Sequence, residues 1–320
     1  MGKVVRAENA AKPALVFAVV VLLWGSTFIA VKICLQQWSV VQVMAGRYVF
    51  GALLLLPLAI QACRENGENR ASGASGAIGA FNSVSLKTHA LPILHLALVG
   101  SVLPVGLMTW AQLSIPSGLA GVIASLAPMM ALIAGVLFFG LPSRGLHWLG
   151  VALGTAGIVV LRWDGSRVVS GAADLPASAL AAALLATVCW GLAAQNYRRH
   201  LSTLNPLHVT ALSFQVMACA MLVVLATQAN APTMHSHDSW MPWLYLLCLG
   251  AFSAVAVTGY NWLIAKWGAV NASSCTYVVP LVALGLGYVD AEPLGWRIAF
   301  ACLLIAVAMW AVRQPVRSKL

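Results

Sequence analysis

Long apolar runs, separated by brief polar or turn-forming breaks, dominate the chain. Reading the runs between breakers predicts ten helices, at about 14–35, 40–61, 91–113, 118–140, 145–161, 176–197, 207–226, 242–265, 271–289 and 295–312. Most approach the ~20 residues that carry a helix across a hydrocarbon core. The run at 145–161 is the shortest and opens among Arg144 and His147. Strands of a membrane barrel would alternate apolar and polar positions over ~10 residues, and these continuous runs exclude that architecture. One break is long. Segment 63–89 holds Arg64-Glu65-Asn66-Gly67-Glu68-Asn69-Arg70 and then a Gly/Ser/Ala stretch, which predicts a flexible surface loop.

Composition makes the membrane reading firm. Hydrophobic residues make up 61% of the chain and charged residues only 8%, with a mean hydropathy of +0.89. A soluble domain needs about 25% charged residues to face water. The net charge of +10 then reads as Lys and Arg kept in cytoplasmic loops rather than as a nucleic-acid surface. With the N-terminus inside, thirteen of the 18 basic residues fall on the cytoplasmic side, Arg162, Arg167 and Arg297 fall outside, and Lys32 and Arg47 lie near the outer ends of their spans. Both termini are therefore expected in the cytoplasm. Lys32 and Arg47 are read as snorkelling to the interface, with binding of an anionic cargo group as the alternative.

The run pattern also repeats. Trp24-Gly25 with Lys32 eight residues after the tryptophan matches Trp190-Gly191 with Arg198. Leu91-Pro92 through Gly100 matches Met241-Pro242 through Gly250, and Pro128 matches Pro280. Five spans per unit is an odd number, so a second copy must enter the membrane from the opposite side. The cations follow that parity. The first turn, 36–39, has none, but its match carries Arg198 and Arg199; the 63–89 loop has three, but its match at 227–240 has none. The expected fold is an all-α integral membrane protein of ten transmembrane helices in two inverted five-helix repeats. Its parts are a cytoplasmic tail at 1–13, a first repeat at 14–161 with the loop at 63–89, an extracytoplasmic linker at 162–175, a second repeat at 176–312 and a cytoplasmic tail at 313–320.

Trp24-Gly25, Arg47 early in the second span, the mid-span prolines Pro128 and Pro280, and Glu292-Pro293 after the ninth span give a combination that resembles the EamA-type members of the drug/metabolite transporter superfamily. The resemblance covers nearly the whole chain, in units of about 15–161 and 177–312. It implies a plasma-membrane carrier (in a bacterium, of the inner membrane) that exports amino acids, other metabolites or drugs. It also implies a central cavity between the halves. Two features depart from the family pattern: Leu141 stands where the family often has the glutamate represented here by Glu292, and the 63–89 loop is longer than usual.

A carrier needs polar or aromatic groups at mid-membrane depth, where cargo exchanges water for protein contacts. Trp24 and Trp190 occupy that depth and are read as a stacking wall, with helix packing beside Gly25 and Gly191 as the alternative. His95, Val99, Val102, Gly106 and Trp110 share one helix face. His95 can accept a proton or bind a carboxylate, or it can sit neutral and hydrogen-bonded; Trp110 can line the site or anchor at the interface. Tyr260 matches Trp110 by repeat position. Ser125 and Tyr277 sit three residues before Pro128 and Pro280, whose missing N–H frees a carbonyl, and are read as cavity wall or hinge. The substrate-binding set is thus Trp24, His95, Trp110, Ser125, Trp190, Tyr260 and Tyr277. An aromatic, weakly charged wall fits an amino acid or amphiphilic metabolite or drug.

All eight acidic residues fall in tails, loops or span ends, so no mid-span carboxylate is visible for proton or sodium coupling. The seven cysteines show no Cys-x-x-Cys or zinc spacing, and no metal or cofactor is expected. No phosphate-binding loop, His-Glu-x-x-His or Gly-x-Ser-x-Gly appears, so an enzyme is not expected. The rival classes are an intramembrane enzyme on lipid with His95 as base, and a channel. Partners beyond small solute and membrane lipid, and the oligomeric state, are not legible.

Overall fold

The computed structural model describes residues 2–72, 77–78, 81–82, 84, 86–140, 142–162, 176–228, 240–267, 272, 275–289, 300, 303–304, 306–308 and 310–311. Helix α1 spans Gly2–Leu35 and α2 spans Val40–Ser72. Next come α3 at Leu86–Ala97 and α4 at Leu103–Ala111, joined without a break by a π-helical turn at Leu98–Val102. They are followed by α5 at Ser117–Ala124, α6 at Ala127–Phe139 and α7 at Gly145–Arg162. Further along come α8 at Ala177–Asn196, which runs into a π-helical turn at Tyr197–Leu201, α9 at Pro206–Thr227, α10 at Met241–Trp267 and α11 at Cys275–Val289.

Seven stretches among the described residues are long and apolar enough to cross a membrane: Lys12–Leu35, Val40–Arg64, Lys87–Ala111, Ser117–Phe138, Ala177–Leu201, Pro206–Thr227 and Met241–Trp267. The protein is a helical, multi-pass membrane protein. Two boundaries differ from the sequence reading. α1 already begins at Gly2, within the expected tail, and α2 continues to Ser72, into the segment read as loop. Among the described residues of that segment a minimal hairpin departs from the helical pattern, Ala77–Ile78 paired antiparallel with Phe81–Asn82.

Local chemistry explains where helices start and bend. Ser39 and Gln42 form a reciprocal capping box at the start of α2: the Ser39 N–H donates to Gln42 Oε1 at 2.9 Å, and the Gln42 N–H donates to Ser39 Oγ at 3.3 Å. Asn205 caps α9, its Oδ1 accepting the Leu207 N–H at 3.0 Å, and Pro206 fills the first helical position, where no N–H is needed. Pro104 cannot donate to the Gly100 carbonyl, and the helix widens into its π turn just before it, with the Leu103 N–H reaching Leu98 O. Pro128 likewise cannot donate to Ala124 O, and the fourth span breaks there into α5 and α6.

Helices in lipid gain little from the hydrophobic effect between them, so close packing of small residues matters more. A Cβ at Gly25 would lie 2.5 Å from Val282 Cβ, and one at Gly191 would lie 2.5 Å from the Ala131 backbone nitrogen. α1 therefore touches α11, and α8 touches α6, almost backbone to backbone. The larger contact pattern has the same regularity. α1 lies against α10 and α11, while α8 lies against α4 and α6; α2 faces α9, and α5 faces α11. Exchanging the spans matched by sequence maps these contacts onto one another. The α2–α9 seam is filled by Met44, Tyr48, Phe214, Met217 and Met221, with Tyr48 set edge-on to Phe214 at 5.9 Å.

Candidate functional site

A cavity of about 260 Å³ lies where these helices meet. Its walls come from α1, α2, the α3–α4 span, α5–α6, α8, α10 and α11; among the described lining residues α7 and α9 supply none. Most of the wall is apolar, with a few polar side chains set into it, as is usual for small-molecule sites.

Three of the expected residues line this space together: Trp24, Trp190 and Tyr260. Trp24 and Tyr260 stack with ring centroids 4.7 Å apart and planes inclined at 51°, joining α1 to α10. Gly25 and Gly191, each next in sequence to its tryptophan, bring the backbones together so that both indoles stand beside the seam.

The other four are placed differently. Trp110 is 44% exposed on the outer surface of α4, away from the cavity, which matches its alternative reading as an interface anchor. Ser125 is buried, and its Oγ donates to Val122 O at 2.6 Å, so its hydroxyl is spent inside the break between α5 and α6. Its neighbours Ala124, Ala127 and Pro128 form the wall instead. His95 is half-buried beside the lining residue Leu96 but is not itself on the wall, and its Nδ1 is buried without a hydrogen-bond partner. Tyr277 lies within α11, its side chain outside the described residues; the adjacent Thr276 and Val279 line the cavity.

The sequence reading missed a set of amides. Gln112 Nε2 donates to Phe28 O at 2.9 Å, tying α4 to α1, and Gln195 Nε2 donates to Ala131 O at 3.0 Å, tying α8 to α6. Asn196 Nδ2 reaches Pro92 O at 3.0 Å, and Asn261 Nδ2 reaches Thr210 Oγ1 at 2.9 Å. Each satisfies a polar group that has no water to turn to in the hydrocarbon region. The signal was present, since amides inside apolar runs are costly unless paired, but the partners are mostly backbone carbonyls on other helices and leave no trace in the sequence.

Arg47 also departs from expectation. Rather than snorkelling to the interface, it is 8% exposed and lines the cavity. Among the described residues no group of His, Cys, Asp or Glu is arranged to hold a metal ion.

Comparison with known proteins agrees with this architecture. The chain is 26% identical over 306 residues to the "Uncharacterized inner membrane transporter YedA" of Escherichia coli K12, covering 90% of this chain and 89% of that one. The same protein from the O157:H7 strain matches equally. A solved structure, named only "Crystal structure of protein", superposes with a TM-score of 0.59 at 18% identity, covering 94% of this chain and 96% of that one, and so shares its fold. The EamA-like transporter family matches residues 11–163 and again 177–313, so the chain is a membrane transporter and belongs to that family.

Proposed function

We propose that the protein moves amino acids or related amphiphilic metabolites and drugs out of the cytoplasm by alternating access, with cargo held between two five-helix units inserted in opposite directions. The observation that carries this reading is the cavity itself, whose wall is built from both halves and flanked by Trp24, Trp190 and Tyr260. Aromatic faces suit an apolar cargo body, and the inset polar groups suit its polar end. The exchange of matched helix contacts supports the two-unit plan: α1 against α10 and α11 in one half, α8 against α4 and α6 in the other. It also supplies a moving part, because rocking one unit against the other would open the cavity first to one face and then to the other. The full plan is ten spans, with both termini cytoplasmic and the protein in the inner membrane, as the name of its E. coli relative states for that protein.

Proteoliposome flux of labelled amino acids tests the proposal. The expected result is saturable movement of unaltered cargo, accelerated by cargo on the far side. Flux that neither saturates nor shows such acceleration identifies a channel. A chemically altered product identifies an enzyme.

A further inference from the structure

The donors around the cavity are unevenly used. Thr27 Oγ1 donates to Trp24 O, Thr109 Oγ1 to Met44 Sδ, Gln112 Nε2 to Phe28 O, Gln195 Nε2 to Ala131 O and Asn261 Nδ2 to Thr210 Oγ1. Arg47 stands apart. Its side chain is more than nine-tenths buried, it lines the cavity, and its Nε has no hydrogen-bond partner. Among the described residues the ionisable groups near it are Tyr48 and Cys34, both uncharged at neutral pH. No Asp or Glu is among the described residues that line the cavity, and every Asp and Glu lies in a tail, a loop or at the end of a predicted span. An unpaired guanidinium withdrawn from water is costly, and an anion that enters with the cargo offsets that cost.

We infer that Arg47 is the anion-recognising residue of the cavity, so that cargo carries a carboxylate on an apolar or aromatic body. This rests on the cavity being the cargo seat. Arg47 presents a planar fork that can engage both carboxylate oxygens, while the neighbouring apolar wall takes the body. α9, which faces α2 across the seam, carries no Lys or Arg along Pro206–Thr227. The second half does place Arg198 on the wall, but that side chain is solvent-exposed, so Arg47 is the buried cation among the described lining residues. Its main chain is held firmly as well. A Cβ at Gly250 of α10 would lie 2.9 Å from Arg47 O, leaving the α2 backbone little room to shift at this point.

Matched probes separate the carboxylate from the rest of the molecule. Thermal stabilisation of the purified full chain is measured with 3-phenylpropanoate against 3-phenylpropanamide, and with L-phenylalanine against L-phenylalaninamide. The acids are expected to stabilise at concentrations at least about tenfold lower than their amides. Arg47→Gln should bring that ratio close to one, and Arg47→Lys should keep part of it. Equal response to acid and amide in the wild-type protein overturns the inference while leaving the cavity as the cargo seat, and needs no variant to fold. A preference that survives in a folded Arg47→Gln protein transfers the role to another cation and also overturns it. No response to any probe counts against both the cargo reading and the inference built on it.

Discussion

Trp24-Gly25 on α1 and Trp190-Gly191 on α8 occupy matching places, and at both the glycine permits a helix of the other matched pair to approach within a methyl group's width. The contacts even correspond residue by residue. Gly25 meets Val282, two positions after Pro280, and Gly191 meets Met130 and Ala131, two and three positions after Pro128. The tryptophans then part company. Trp24 stacks on Tyr260, whereas Trp110, the repeat match of Tyr260, faces outward and leaves Trp190 without that partner. The matched positions thus share the packing, where sterics leave no choice, and differ in the side chains around the cavity. The shared feature builds the frame; the unshared ones shape what it holds.

Breaking the frame should have the largest effect. Gly191→Ala drives a methyl into the α6 backbone, which cannot rotate aside, and should destabilise the protein by roughly 2–3 kcal/mol, seen as a lower melting temperature in detergent. Gly25→Ala meets the Val282 side chain and should cost less, about 1–2 kcal/mol, because a side chain can repack. Equal losses would show that α1 has no more freedom against α11 than α8 has against α6.

Next in size are the tryptophans. Trp24→Ala removes a ring pair worth about 0.5–1.5 kcal/mol beyond buried area and should lower flux by roughly 3–10-fold at near-normal membrane abundance. Trp190→Ala should lower flux less, by about 2–5-fold on the same scale, since no ring partner among the described residues is lost. Trp110→Ala, on the outer face, should leave flux within about twofold. A deficit for Trp110→Ala as large as that for Trp24→Ala would mean that both repeat positions serve the cargo after all.

The break between α5 and α6 offers the smallest comparison. Ser125→Ala removes a hydroxyl already bonded to Val122 O and should change stability by no more than about 1 kcal/mol in melts. Pro128→Ala returns an N–H that can reach Ala124 O, and should slow turnover without weakening cargo binding. If Pro128→Ala leaves turnover unchanged, the bend is a packing detail rather than a hinge.

Much of this was legible in the chain because the lipid phase imposes long apolar runs and because Trp, Gly and Pro act through local sterics. Trp24, Trp190 and Tyr260 could be placed by depth and repeat position alone. What could not be read was the azimuth of side chains around each helix. Ser125 and Trp110 sit at plausible depths but turn away from the cavity, Ser125 toward its own backbone and Trp110 toward the outer surface. Arg47 is the reverse case. Its place near a span end suggested a reach to the interface, yet the close approach of α2 to α9 and α10 directs it inward. The π turn before Pro104 has no counterpart in α10, where Ala254 stands at the matching position and the helix stays regular, so repeat symmetry alone would have misdrawn that span.

Accessibility of tags inserted in the 162–175 linker and in the 229–239 loop, scored in intact cells against tags at both chain ends, tests the opposed insertion of the two units most directly. The account predicts that both internal tags are labelled from outside and that both ends are labelled only after the membrane is opened. An internal tag found sealed with the chain ends would contradict it.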